Sequence, residues 1–210
     1  PRATSTPPPT IGYSTLAPNE LPAGVTQVAP IPVPPDLTIV NLMNQVDVDR
    51  LFVHIDTLVN MRSRRVNSPG IESAATYVQN QFNAIREGSF QNSFSVLTQE
   101  FPINFDGTQS TGKNVIGVLA GTDVGGGVII LGAHYDSISY NFNDSAAFAP
   151  GANDNASGIA ALLEVARIMS QRRHRATIMF VAFSAEEIQR LGSIAFVEDY
   201  LRPNNVDVAA

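Results

Sequence analysis

The sequence predicts an α/β fold, with a mixed, largely parallel sheet and helices on both of its faces. From residue 128 onward, the chain reads as strand, helix, strand, helix and strand, an alternation that is typical of α/β sheets. Residues 128–133 are a continuous apolar run, as expected for a strand that is covered on both faces. Of the 210 residues, 44% are hydrophobic and 15% are charged, a balance that indicates one globular domain.

The first 36 residues differ in composition from the rest of the chain. Ten of the fourteen prolines fall within residues 1–35, and this part lacks hydrophobic periodicity. Residues 1–36 are therefore predicted to be an extended leader or linker, and residues 37–210 to form the globular part. A spacer after an export signal is the favoured role, although the chain shows no signal peptide itself.

Two helices are predicted early in the globular part. Asp47 is a suitable N-cap for the first, and proline in the first turn favours a second one that begins at Ser68-Pro69. The apolar positions expected to be buried are spaced by three and four residues. They are Val48, Leu51, Phe52, Ile55, Leu58 and Val59 in the first helix, and Ile71, Ala74, Ala75, Val78 and Phe82 in the second.

Strands and helices alternate in the remainder. Strands are predicted over residues 94–101, 114–119, 128–133 and 177–183, and helices over residues 154–170 and 191–201. Because glycines lie between residues 114–119 and 128–133, these two strands are predicted to form a hairpin. Residues 206–210 read as a strand that has only begun, so the fold is expected to be incomplete at the C-terminus.

Composition excludes several classes of partner and site. The net charge is −6, with 19 acidic and 13 basic residues, which argues against nucleic acid as the main partner. The chain has no cysteine, so a metal site would need His, Asp and Glu ligands. No apolar stretch is long enough to span a membrane.

Acidic and histidine residues follow the predicted strands at the places where open α/β sheets build their ligand sites. His134 ends the run 128–133, and Asp136 is placed to accept the second N–H of its imidazole. Asp154 precedes a helix, where it is either an N-cap or a carboxylate that bridges two metal ions. Glu186-Glu187 follow the strand 177–183. They are either first-turn helix residues, or a metal ligand beside a general base.

Three segments of the chain carry a resemblance to a known family. Residues 132–137 (GAHYDS), 150–158 (PGANDNASG) and 183–193 (FSAEEIQRLGS) together resemble metallopeptidase family twenty-eight, which contains leucyl-type aminopeptidases and glutamate carboxypeptidases. The resemblance extends over roughly residues 46–210 and includes the segment Lys113-Asn114-Val115-Ile116. It implies the zinc-exopeptidase fold, two zinc ions, peptide substrates and an extracytoplasmic location.

The same resemblance implies individual roles. His134 would ligate one zinc, Asp154 would bridge both, and Glu187 would ligate a zinc. Glu186 would be the general base, and Asp136 would support His134. The Asp154–Asn155 peptide is a candidate for a cis bond, and Asn155 stands where many family members have a second Asp.

The family needs two further ligands, an Asp and a later His, and these are expected beyond Ala210. His54, in an amphipathic helix, and His174, in a basic stretch, are not expected to be ligands. The chain is therefore predicted to be a fragment that binds metal weakly by itself.

Three alternatives remain at this point. The other large di-zinc family, of aminoacylases and dipeptidases, uses a similar set of ligands. However, its bridging Asp is usually followed by Lys-Gly, where this chain has Asn155-Ala156. Glutaminyl cyclases share the fold, but the paired glutamates favour hydrolysis. A truncated, non-catalytic relative that acts as a binding module is the third. The sequence leaves the oligomeric state open.

Overall fold

A computed structural model describes residues 36–105, 107–139, 141 and 147–210 of the chain. The predicted leader, apart from Asp36, lies outside the described residues. Five helices and four strands form the described part. The helices are α1 (Leu37–Met43), α2 (Val48–Val59), α3 (Pro69–Glu87), α4 (Ser157–Met169) and α5 (Leu191–Ala195). The strands are β1 (Phe94–Phe105), β2 (Thr108–Leu119), β3 (Val128–His134) and β4 (Thr177–Phe183).

The sheet is mixed and has the order β1-β2-β4-β3. The pairs β1–β2 and β2–β4 are antiparallel, whereas β3 and β4 are parallel. The C-terminal residues lie beside the outer edge of β3, where Val208 forms a parallel bridge with Val128 and Ile130 N donates to Ala210 O at 2.8 Å. The parallel part of the described sheet is therefore the pair β3–β4 with the bridge at Val208, so the sheet is mixed but less parallel than predicted.

The predicted hairpin between β2 and β3 is wrong. β4 lies between these two strands, and the true hairpin joins β1 to β2. Only two residues separate Phe105 from its partner Thr108, and one of them is Gly107 with a φ of 71°, as two-residue hairpin turns require. The link from β2 to β3 is longer and runs past the start of β4, where Thr122 N donates to His174 O.

Helices cover both faces of the sheet, as predicted. On one face α3 and α4 pack on the strands, and Phe94 stacks between Phe82 of α3 and Phe180 of β4 at centroid distances of 5.9 and 6.0 Å. On the other face Phe196 packs against Ile116, Met179 and Val181. Phe196 begins a wider helical segment, Phe196–Leu201, that continues α5 directly. The core therefore lies on both sides of the central strands β2 and β4.

The predicted burial is found only in part in α2 and fully in α3. Asp47 caps α2 as expected, since its carboxylate accepts from the N–H groups of Asp49 and Arg50. Leu58 is buried, but Val48 and Phe52 are 58% and 61% exposed. In α3, Pro69 takes the first turn, and all five apolar residues predicted to be buried are buried. The buried hydrophobic core of the described chain thus begins at the end of α2, with Leu58.

Candidate metal centre

His134 is the last residue of β3 and lies at the carboxyl end of the parallel strand pair. The apolar residues before it form the strand, so the imidazole emerges where the backbone leaves the sheet. Its Nδ1 lies 3.2 Å from the carbonyl oxygen of Asp136 and 3.4 Å from a carboxylate oxygen of the same residue. Its Nε2 points the other way, towards the carboxylate of Asp154 at 3.0 Å. The ring is thereby fixed from one side and presents Nε2 to the site.

Asp136 is buried, with 1% of its surface exposed. One carboxylate oxygen accepts from the backbone N–H of Glu186 and the other from that of Glu187, both at 3.1 Å. The carboxylate therefore connects the end of β3 to the segment after β4. The sequence predicted a contact with His134, whereas the link to the two glutamate amides is new.

Asp154 lies in the irregular turn Ala152–Ala156 that precedes α4. The peptide between Asp154 and Asn155 is cis, as the resemblance implied. Asp154 does not cap the helix; instead the amide oxygen of Asn155 accepts from Gly158 N at 3.0 Å, which satisfies one free N–H of the first turn. The side chain of Asp154 is consequently available, and 72% of it is exposed.

Glu186 and Glu187 lie in the loop between β4 and α5, not in the first turn of the helix. This loop turns sharply, since Ala185, Gln189 and Arg190 all have positive φ. Glu186 reaches to 3.9 Å from His134 Nε2 and its side chain is 40% exposed. The two adjacent carboxylates therefore arrive at one strand end in different positions.

The potential at the site is strongly negative. Burial alone would lower the pKa of His134, but the hydrogen bond and charge of Asp136, with the charges of Glu186 and Asp154, outweigh it and raise the pKa to about 9. Burial, followed by the charges of Asp154, Asp136 and Glu186, raises the pKa of Glu187, against the effect of His134. The acids around Glu187 that raise its pKa also favour a cation placed between them.

The donor set fits a zinc ion. His134, Asp154 and Glu187 each offer one ligand atom, and these atoms all lie within 4.8 Å of one another. One imidazole and two carboxylates are a common ligand set for zinc at a hydrolytic site. Glu186 does not belong to this group, so one carboxylate beside the cluster is left for another task.

The other two histidines lie apart from this cluster. Nδ1 of His54 is 2.7 Å from the hydroxyl of Tyr77, and burial, with the nearby Arg50, lowers the pKa of the imidazole. Nε2 of His174 is 2.8 Å from the carbonyl oxygen of Met169. Neither belongs to the group of potential ligands found among the described residues.

Sequence reasoning missed Arg64. Its guanidinium is fully buried and donates hydrogen bonds to four backbone carbonyl groups around the site. Burial lowers its pKa to about 10, while the charge of Asp136 acts in the opposite direction, so the group is still a cation at neutral pH. The run Arg62-Ser63-Arg64-Arg65 reads as a solvated basic stretch, and nothing in it marks the third residue.

Asn114 belongs to a segment that shares the family resemblance, but its role was not predicted. Its amide nitrogen donates to Gly192 O at 2.8 Å, and its amide oxygen accepts from Ser184 N at 3.1 Å. These two residues lie on either side of the glutamate pair, so the buried amide of β2 closes the loop that carries it. Gln99 accepts a further hydrogen bond from Asn114 and extends this network to β1.

Residues 114–210 match the family model described as peptidase family M28. Over this range, the chain belongs to peptidase family M28. The match contains the three predicted ligands, the glutamate pair and Asp136.

Two curated relatives are named as peptidases. A probable zinc metalloprotease of Pyricularia oryzae is 31% identical over 189 residues, which cover 83% of this chain and 36% of the relative. The aminopeptidase YwaD of Bacillus subtilis is 37% identical over 92 residues, which cover 43% of this chain and 18% of the relative. The chain therefore spans less than half the length of these relatives.

Solved structures confirm the zinc-exopeptidase fold, since a Zn-dependent exopeptidase from Parabacteroides distasonis has a TM-score of 0.56 and 24% identity, and the match covers 67% of this chain and 47% of that one. LapB from Legionella pneumophila has a TM-score of 0.69 and 25% identity, and the match covers 85% of this chain and 46% of that one. A glutaminyl cyclase from Bacteroides thetaiotaomicron has a TM-score of 0.55 and 26% identity, and the match covers 68% of this chain and 48% of that one. Among the described residues, no helix has the length and apolar character to cross a membrane.

Proposed function

We propose that the intact protein is a zinc-dependent exopeptidase, and specifically an aminopeptidase that releases N-terminal residues from peptides at a site for two zinc ions. The observation that carries the proposal is the separation of the glutamate pair. Glu187 shares a cluster with His134 and Asp154, whereas Glu186 lies beside it. The family membership and the relatives named zinc metalloprotease and aminopeptidase support the same function.

The proposed roles are those that the resemblance implies, and the positions of the side chains support them. His134 would ligate one zinc through Nε2, Glu187 would ligate a zinc, and the exposed carboxylate of Asp154 would serve both ions. When bound, zinc supplies Lewis acidity, which polarises the scissile carbonyl group and makes water easier to deprotonate. His134 has to be neutral to act as a ligand, so it releases its proton when the metal binds.

Glu186 is the proposed general base. Its side chain is partly exposed beside the cluster, where it can accept a proton from the attacking water. The same carboxylic acid then returns that proton to the leaving amine, so the group ends the cycle as it began. Asp136 contacts His134 and accepts from both glutamate amides, so it positions the base and two ligands together.

The likeness to a solved glutaminyl cyclase supports a second candidate, the cyclisation of an N-terminal glutamine, because the two chains share a fold. A general acid–base residue beside zinc suits either reaction. The two differ in product, since hydrolysis of a peptide consumes water and cyclisation does not. The family model that matches is that of peptidase family M28, which favours the aminopeptidase over the aminoacylase-type alternative.

The domain organisation and location are proposed with the function. Residues 37–210 are proposed to form part of the catalytic domain, with residues 1–36 as a leader. An extracytoplasmic location would suit an enzyme that degrades external peptides.

The test compares Glu186→Gln with Glu187→Gln in the full protein. Zinc content is measured by mass spectrometry. Activity is measured on three substrates: an aminoacyl anilide, its N-acetylated analogue and a peptide with N-terminal glutamine. Glu186→Gln should keep its zinc and lose roughly 10²–10⁴-fold in turnover, whereas Glu187→Gln should lose zinc as well. Unchanged turnover in Glu186→Gln would remove Glu186 from the mechanism. Cyclised product without free amino acid would establish the second candidate, and a wild-type protein that binds no zinc would refute both.

A further inference from the structure

Arg64 lies in the connection between α2 and α3, outside the set of residues proposed to bind zinc. The residue is fully buried, and arginine is almost never fully buried unless its donors are paired. In the described part of the chain its partners are backbone carbonyl groups rather than a carboxylate. Such an arrangement fixes the backbone that carries those carbonyl groups.

The four hydrogen bonds join three separate segments. Nε donates to Tyr135 O at 2.7 Å, between His134 and Asp136. Nη1 donates to Pro150 O at 2.7 Å, and Nη2 to Gly151 O at 3.0 Å, shortly before Asp154. The fourth bond, from Nη1 to Leu58 O at 3.0 Å, attaches both to the end of α2. One rigid planar group therefore spans the distance between the segments of two proposed ligands.

The backbone around Arg64 strengthens the same connection. Arg64 N donates to the hydroxyl oxygen of Ser137 at 3.0 Å, and that hydroxyl donates to Ala149 O at 2.7 Å. Ala149 N in turn donates to Arg62 O at 2.7 Å. The segment after His134 and the segment before Asp154 are thus both bonded to the strip that contains Arg64.

Gly151 shows how closely the guanidinium fits. A Cβ atom at this position would lie 2.8 Å from Nη2 of Arg64 and 2.7 Å from Cβ of Ser137. The residue also has a φ of 47°, which glycine adopts without strain. The backbone approaches the arginine so closely that a larger residue would push the two segments apart.

We propose that Arg64 is a positioning residue that fixes the separation of His134 and Asp154 and thereby sets the affinity of the protein for zinc. The inference rests on the proposed metallopeptidase function. Loss of the guanidinium removes the donor to the carbonyl groups of Tyr135 and Pro150, whereas those of Leu58 and Gly151 keep a backbone donor, so the two ligand segments are held together less tightly. Lysine keeps the charge but has a single nitrogen, which is unable to reach four carbonyl groups of three segments.

The experiment compares Arg64→Met and Arg64→Lys with Arg167→Met in the full protein. Arg167 also makes several hydrogen bonds, to Glu164 and to Gln45 O, and it lies in α4 away from the cluster. Zinc affinity is measured by competition with a chromophoric chelator, and ligand geometry by the visible spectrum of the cobalt-substituted protein. Thermal unfolding of the zinc-free proteins reports stability separately.

Arg64→Met should weaken zinc binding by roughly 10–100-fold, as supporting residues of metal ligands do, and should change the cobalt spectrum. Arg64→Lys should recover only part of the affinity. Arg167→Met should lower the unfolding temperature, whereas its zinc affinity and its cobalt spectrum should be those of wild type. Equal zinc affinity in Arg64→Met and wild type, at any unfolding temperature, would overturn the inference.

A milder variant covers the case in which Arg64→Met does not fold. Ser137→Ala removes the hydroxyl that joins Arg64 N to Ala149 O, and it should weaken zinc binding in the same direction. Wild-type affinity in Ser137→Ala together with wild-type affinity in Arg64→Lys would refute the positioning role. Wild-type protein that binds no zinc refutes the proposed function itself, so the two failures are distinguishable.

Discussion

The two sides of the proposed zinc site differ in how far the protein builds them without metal. On the β3 side, Asp136 is 1% exposed and its carboxylate oxygens accept from two backbone N–H groups. On the α4 side, the side chain of Asp154 is 72% exposed and points into the open site. The first side is part of the folded core, whereas the second is held mainly by its backbone.

This difference separates stability from metal binding. A buried carboxylate that accepts hydrogen bonds contributes to folding whether or not zinc is present. An exposed carboxylate contributes little to folding, since water already solvates it. Substitutions on the two sides should therefore be told apart by measuring unfolding and zinc affinity on the same proteins.

The largest effect on zinc affinity is expected for Asp154→Ala. It removes a proposed ligand, so affinity should fall by more than the roughly 100-fold that loss of a supporting residue can cost. The free energy of unfolding of the zinc-free protein should fall by no more than about 1 kcal/mol, because the contact with His134 is lost but the side chain of Asp154 is 72% exposed. Chelator competition and urea unfolding measure the two quantities. Asp199→Ala, which removes an exposed acid elsewhere, is the control and should change neither; a large loss of stability in Asp154→Ala would contradict the comparison.

Asp136→Asn should give the opposite pattern. One carboxylate oxygen becomes an NH₂ group that faces a backbone N–H, so the free energy of unfolding should fall by about 1.5–3 kcal/mol. Zinc affinity should also fall, by roughly 10–100-fold, because His134 and both glutamates lose their common support. Glu164→Gln is the matched control, since Glu164 is a buried carboxylate that accepts from Asp47 N at 2.8 Å away from the cluster. It should lose stability and keep its zinc affinity; equal affinity losses in both variants would remove the special role of Asp136.

The β3 side was also the easier one to predict from the sequence. An apolar run that ends in His134 places the imidazole at a strand end by local geometry alone. The glutamate pair after β4 follows the same logic, and the structure brings Glu187 together with His134 and Asp154. Local patterns indicated these positions, because each residue follows directly on a strand or turn, whereas the proposed roles came from the resemblance.

The support of the site could not be predicted in the same way. Arg64 is distinguished from its neighbours Arg62 and Arg65 only by carbonyl groups that lie more than 70 residues away along the chain, at Tyr135, Pro150 and Gly151. The incorrect hairpin has the same cause. Two apolar strands with glycines between them do not reveal that β4, which comes later in the chain, is inserted between them. Long-range partners of this kind leave no periodic signal in a single sequence.

The smallest of these effects, taken per pH unit, comes from pH, and it tests both sides at once. In the zinc-free protein, burial lowers the pKa of His134. Asp136, Glu186 and Asp154 outweigh this effect and raise the pKa from 6.5 to about 9. Zinc has to displace this proton, so affinity should rise by about tenfold per pH unit between about pH 7 and 9. The stability of the zinc-free protein depends on pH with the opposite sign. A raised pKa stabilises the folded state fully below pH 6.5, and that contribution is lost as the pH rises through about 9.

Calorimetry in buffers of different ionisation enthalpy should therefore detect about one proton released per zinc at neutral pH. Asp154→Ala removes one of the charges that raise the pKa of His134, so its zinc-free form should lose this stability at a lower pH than wild type. His134→Gln is the control, and its unfolding free energy should lack this pH dependence. A zinc affinity that does not change between about pH 7 and 8 would mean that His134 is already neutral in the zinc-free protein. The exposed acids around it would then have little influence on the buried side of the site.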